Sequence, residues 1–209
     1  NGGIVFITNS IYASPTKELK IINLPNEDKA IKLACCNKFV IALGSSGKAY
    51  ISTYPKTGIS EFREIPELAG NVIQDIAGTY HHCFCVTDTG KVFGYGNNSS
   101  CTLGFPKTSK KIEKFNEITK LKKYHIVEVY AGYSHSLFKT DDGKLISCGS
   151  NSSGETLHSI KPPRDIVYPP KKLQTKFSNA NFCIAGEFTT IFFQGDEFPS
   201  NMANRKIQK

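Results

Sequence analysis

The chain has 209 residues, 39% hydrophobic and 21% charged, with 26 Lys and Arg against 18 Asp and Glu for a net charge of +8. That is the balance of an ordinary globular chain, and no apolar run approaches the roughly 18 residues of a membrane span. The excess of lysine provides a field attractive to acidic proteins, nucleic acid or anionic lipid. The chain opens on Asn1-Gly2-Gly3 and passes at once into the strand-like Ile4-Val5-Phe6-Ile7, without Met or a basic leader, so a native N-terminus lying further upstream is expected. Seven cysteines form no regular framework, which favours reduced thiols and an intracellular setting. Asn97, Asn98 and Asn151 each open an Asn-x-Ser/Thr triplet that is read as chance.

Four segments then repeat along the chain, each a pair of short strands around a small-residue turn: from Ala30, from Asp75, from Glu128 and from Phe182. The opening Gly2–Thr8 reads as the end of a fifth. Gly78, Gly132 and Gly186 recur at intervals of 54, whereas the turn glycines Gly47, Gly90 and Gly143 lie 43 and 53 apart, so the unit is constant and the connecting loop varies. Runs such as Phe84-Cys85-Val86 and Leu137-Phe138-Lys139 lead into Asp88-Thr89-Gly90 and Asp141-Asp142-Gly143, turn sequences that close antiparallel hairpins. Val92–Tyr95 and Leu145–Cys148 supply the next strand, and Gly96 and Gly149 allow an abrupt exit. A lone sheet of three or four strands cannot hide both faces, so the units are expected to pack radially as an all-β propeller. The expected units are 1–29, 30–74, 75–127, 128–181 and 182–197, followed by a basic tail or linker at 198–209. Between them, Lys107–Lys123 interleaves lysines with Ile112, Phe115, Ile118 and Leu121, a pattern open to a strand with a basic loop or to a short amphipathic helix.

Two stretches, Ala77–Gly104 and Ala131–Leu157, resemble the repeat of the regulator-of-chromosome-condensation family. The resemblance rests on Ala-Gly-x-x-His (Ala77, Gly78, His81; Ala131, Gly132, His135), on the Asp-x-Gly turn, and on a tail matched by Tyr95, Gly96, Asn98, Leu103, Gly104 and by Gly149, Asn151, Gly154, Leu157. The tail tryptophan of the family is Tyr95 or Cys148 here, the first unit has Cys35 and Lys38 where Gly and His are expected, and the last has Thr189 for His. Similar family members form seven-bladed propellers, whereas about four units are present here. The resemblance therefore implies either part of a larger ring, its remaining blades expected from the rest of the chain or from a partner, or an unusually small propeller, the first being the favoured expectation. It also implies structural roles for Gly78, His81, Gly90, Gly96, Gly132, His135, Gly143, Gly149 and Gly186.

Chemistry is weakly encoded. His81, Cys83 and Cys85 alternate along a strand, but one strand does not wrap a tetrahedral ion and no zinc-like spacing accompanies them. Ser134, His135 and Ser136 are adjacent strand residues that point to opposite faces, so a catalytic triad is not expected. The glycine-rich Gly44–Gly47 and Gly94–Gly96 lack the Lys-Ser/Thr of a phosphate loop. Neither a metal nor another cofactor is expected. The expected role is a non-catalytic protein–protein interaction scaffold, with Tyr80, Tyr133 and Phe188 and the lysines Lys107, Lys110, Lys111 and Lys114 as partner-binding candidates. The resemblance alone implies a second role, guanine-nucleotide exchange on a Ran-like small GTPase. The basic loops open a third, binding of chromatin or nucleic acid.

Overall fold

Hairpin closure is the simplest element to explain. In the second unit Gly90 N–H bonds to Thr87 C=O at 2.9 Å, Thr87 N–H to Lys91 C=O at 2.9 Å, and Lys91 N–H to the Thr87 hydroxyl at 3.0 Å. The third unit repeats the pattern through Thr140, Gly143 and Lys144, and the first repeats its backbone part through Gly44, Gly47 and Lys48. This is the three-residue hairpin loop that ends on a left-handed residue, which is why an Asp-x-Gly sequence recurs there.

The computed structural model describes residues 4–7, 19–53, 60–158, 166–173, 182–187 and 189–193. Its strands are β1 (Ile4–Ile7), β2 (Leu19–Ile22), β3 (Ala30–Cys35), β4 (Phe39–Gly44), β5 (Ala49–Thr53), β6 (Arg63–Glu64), β7 (Ile73–Gly78), β8 (His82–Thr87), β9 (Val92–Asn97) and β10 (Lys111–Glu117). They continue as β11 (Ile126–Ala131), β12 (His135–Thr140), β13 (Leu145–Ser150), β14 (Ile166–Lys172), β15 (Phe182–Ala185) and β16 (Thr190–Phe193). Three antiparallel four-stranded meanders, β3–β6, β7–β10 and β11–β14, stand between two-stranded sheets β1–β2 and β15–β16. The chain is a partial β-propeller, and each sheet is called a blade below. The tail at 198–209 lies outside the described residues.

Burial explains why the middle strands read as continuous apolar runs rather than alternating ones: all six residues of β8 are buried. Cys83 and Cys85 face the first four-stranded blade and share a core with Ala34, Ile41, Leu43 and Ile76. Phe84 and Val86 face the next blade and share a core with Val129, Phe138 and Ile146. Phe84 meets Phe138 edge-on with centroids 5.4 Å apart. Leu137, on the other face of β12, joins Leu145, Leu173 and Cys183 in a core against β15. The middle strand β8 therefore has no solvated face, as a strand packed between neighbouring blades requires.

The open choice at Lys107–Lys123 resolves to the strand β10 followed by a 3-10 turn at Thr119–Leu121. The spacing of three between Ile112 and Phe115 comes from burial on opposite faces, Ile112 in the core toward β11–β14 and Phe115 in the core toward β3–β6. A residue three along a strand changes face, whereas three along a helix keeps it.

Candidate interaction surface at the blade ends

The connections from the innermost strand of each blade to the next set the geometry of one end of the molecule. In each, the fourth residue accepts from the first: Cys36 N–H to Phe39 C=O at 2.9 Å, Thr79 to His82 at 2.9 Å, Gly132 to His135 at 2.9 Å and Gly186 to Thr189 at 2.8 Å. The central residues form the tips: Asn37-Lys38, Tyr80-His81 and Tyr133-Ser134, with Glu187 in the last connection. Neighbouring tips are tied by backbone bonds, Asn37 N–H to Tyr80 C=O at 3.2 Å and Tyr133 N–H to Gly186 C=O at 3.0 Å.

This corrects the sequence register by one residue in the second unit. His82, not His81, stands opposite Gly96 as His135 stands opposite Gly149. Likewise Thr79, not Gly78, holds the place of Gly132, because the Gly78–His82 connection is one residue longer. In the first unit the matching residues are Cys36 and Phe39, not Cys35 and Lys38. The intervals of 43 and 53 between turn glycines carried the correct register, since Cys36, Thr79 and Gly132 are spaced the same way. Gly78 instead ends β7, where an added Cβ would lie 2.9 Å from Cys36 Sγ.

The paired histidines latch successive blades. The His82 ring lies between the Thr79 hydroxyl at 3.3 Å (Nδ1) and the Ser136 hydroxyl of the next blade at 3.2 Å (Nε2). His135 Nε2 meets the Thr190 hydroxyl at 2.9 Å, and Thr190 donates onward to Glu155 C=O at 2.7 Å. Burial, reinforced by the neighbouring His135 and His81, pushes His82 down to about 3, and burial also lowers His135 against the opposing pull of Glu155. Both rings serve as neutral hydrogen-bonding groups. Gly132 is required beneath its ring: a Cβ there would sit 2.2 Å from His135 Cε1. The triplets at Asn98 and Asn151 are likewise structural. Asn98 is fully buried, donating to Phe105, Pro106 and Ser109 carbonyls and accepting from Leu103 N–H, while Asn151 donates to His158 C=O and accepts from Thr156 N–H. These latches were not legible as contacts, because Ser136 and Thr190 are ordinary strand residues in sequence.

Against this fixed frame the tips of the second and third four-stranded blades are aromatic. Tyr80 and Tyr133 are 54% and 42% exposed. His81 sits between them, its ring edge-on to both at centroid distances of 4.6 and 5.1 Å, and its Nε2 lies 3.1 Å from the Tyr133 hydroxyl. Phe188 lies outside the described residues. The lysines divide. Lys107 and Lys110 occupy the exposed β9–β10 loop at this same end, where Lys110 C=O accepts from Asn98 N–H and Asn97 N–H reaches His81 C=O. Lys111 and Lys114 stand exposed on β10, the outer strand of its blade, and Lys111 pairs with Glu113 at 3.0 Å. Lysines along an outer strand also discourage edge pairing with other chains.

The family model for the regulator of chromosome condensation (RCC1) repeat matches residues 126–155, the span of β11 to the loop after β13. The chain is similar to RCC1-repeat proteins. It is 27% identical over 184 residues to the probable E3 ubiquitin-protein ligase HERC3 of Homo sapiens, an alignment covering 83% of this chain and 17% of that one. It is 27% identical over 146 residues to the secretion-regulating guanine nucleotide exchange factor of Bos taurus, covering 69% of this chain and 30% of that one. The chain thus spans less than a third of the length of these curated relatives. Among solved structures it resembles human WBSCR16, with a TM-score of 0.69 at 16% identity, over 87% of this chain and 48% of that one. That likeness concerns the fold. No helix among the described residues is long and apolar enough to cross a membrane.

Proposed function

We propose that this chain is a binding platform for a partner protein, engaged through the blade end that carries Tyr80, His81 and Tyr133. The observation that carries the reading is the exposed aromatic cluster spanning two blades, held by backbone bonds and buried histidine latches rather than by its own loop. Aromatic side chains on a rigid frame bring large contact area at low entropic cost and dominate interface energetics. Lys38 on one side and Lys107 and Lys110 on the other give the surroundings a basic character, which speeds encounter with an acidic partner surface. Phe188 and the edge lysines Lys111 and Lys114 complete the proposed contact set.

The paired substitution Tyr80→Ala with Tyr133→Ala is expected to lower partner capture from source-cell extract by at least about ten-fold, with the unfolding midpoint little changed. Capture that is undiminished by the pair would remove this surface from consideration.

A second reading, nucleotide exchange on a small GTPase, draws support from the likeness to the bovine exchange factor over 69% of this chain. It predicts accelerated release of labelled nucleotide from a Ran-like GTPase at micromolar protein. An unchanged release rate dismisses exchange and leaves the platform standing.

A further inference from the structure

The opposite end of the blade formed by β7–β10 holds a cleft of about 330 Å³, between the β8–β9 turn and the 3-10 turn that follows β10. Its floor is Val92, Ile118 and Leu121, each no more than 2% exposed. Ile118 N–H is pinned to Val92 C=O at 2.8 Å and Tyr124 N–H to Leu121 C=O at 2.9 Å, so the walls belong to hydrogen-bonded structure and the cleft exists without a ligand. Its rim is basic. Lys91 is exposed and has no ion-pair partner among the described residues, while Lys122 reaches Glu117 only at 3.6 Å and is 60% exposed. Lys123 Nζ lies 5.0 Å from the centre of the ring of Tyr124, a residue of the cleft wall.

We infer that this cleft binds a short acidic peptide segment through one inserted aliphatic side chain, with flanking carboxylates on Lys91 and Lys122. The size is compatible: at about 330 Å³ the cleft lies at the bottom of the range of about 300 to 1,000 Å³ of ligand pockets and admits an aliphatic side chain with part of its flanking backbone. The apolar floor selects an aliphatic anchor, and the cationic rim rejects a basic flank. The site is separate from the aromatic end, so a partner that embraces one blade can touch both.

The test is an NMR titration of the isotope-labelled full chain at low salt with a five-residue capped peptide, a leucine between two pairs of glutamates. Saturable shifts are expected at Gly90, Lys91 and Tyr124. Replacing the glutamates by glutamine, or leucine by alanine, is expected to weaken binding about ten-fold in each case. Lys91→Glu, a change at an exposed position, is expected to abolish the shifts while the thermal midpoint holds. Equal affinity for the glutamine peptide, or no saturation at millimolar concentration, overturns the assignment. So do shifts confined to Tyr80 and Tyr133, an outcome that leaves the platform reading intact.

Discussion

Gly149 and Gly143 lie on the same strand pair, both with positive φ (110° and 77°), yet their surroundings differ. A Cβ on Gly149 would lie 2.5 Å from Ser134 O and 2.6 Å from His135 Cα, both backbone atoms, whereas one on Gly143 meets nothing within 4 Å. Gly143→Ala should therefore cost only the conformational penalty of about 1 kcal/mol, and Gly149→Ala about 3 kcal/mol or more, compared by denaturant unfolding. Equal costs would show that the crossing at Gly149 relaxes. The histidines make a second prediction at this scale. His82 is held neutral in the fold, its pKa down to about 3 from the usual 6.5, so the unfolded chain binds the extra proton first. A depressed histidine contributes stability that is complete above about pH 6.5 and is lost as the pH falls toward 3, which is about 2 kcal/mol of loss by pH 5. His82→Gln should flatten the stability profile between pH 6.5 and 5, and a profile with unchanged slope would exclude His82 as its source. Individual residues were also where sequence reading slipped. Cys101 and Leu157 adopt positive φ at the places where the neighbouring repeat has Gly154 and Gly104, so glycine identity alone misaligns the tails.

Strands are fixed to their neighbours by a few groups that composition does not reveal. Asp75, 7% exposed on the innermost strand β7, takes Lys32 of β3 on Oδ1 and the Val129 N–H of β11 on Oδ2 at 2.9 Å, joining three blades through one carboxylate. Its two partners are unequal: Lys32 is 48% exposed on its side chain, whereas Val129 N–H is buried. Lys32→Ala should cost less than about 1 kcal/mol, as a half-solvated ion pair does. Asp75→Ala, which orphans a buried donor, should cost about 3 kcal/mol by equilibrium unfolding. Comparable losses from both would place the weight on the ion pair instead. The strands themselves were readable, because each ends in a turn whose chemistry is local. Their mutual register was not, since it depends on pairs such as His82 with Ser136 that lie 54 residues apart. The β10 segment shows the same limit, its period of three arising from two separate cores.

Across the molecule, burial falls from the middle outward. The strands β8 and β12 are covered on both sides, but the cross-strand pair Ile184 and Ile191 on the outer face of β15–β16 is 52% and 62% exposed, and Ile31 and Leu33 on β3 are 65% and 43% exposed. Stacked repeats gain stability from each interface separately, so units with one uncovered face should open first. Amide exchange in native conditions is expected to be slowest at Cys83–Val86 and Leu137–Phe138 and fastest in β15–β16. Uniform protection would instead mean a single cooperative unit. A substitution separates an open flank from a covered one. Ile191→Lys should change the unfolding free energy by no more than about 0.5 kcal/mol if that face meets water. The same change would bury an unpaired charge, at a cost of several kcal/mol, if another blade or another copy lay against it. A large loss that deepens with rising protein concentration would identify a second copy on the flank, whereas a small and concentration-independent one shows that this chain folds with its outer sheet exposed.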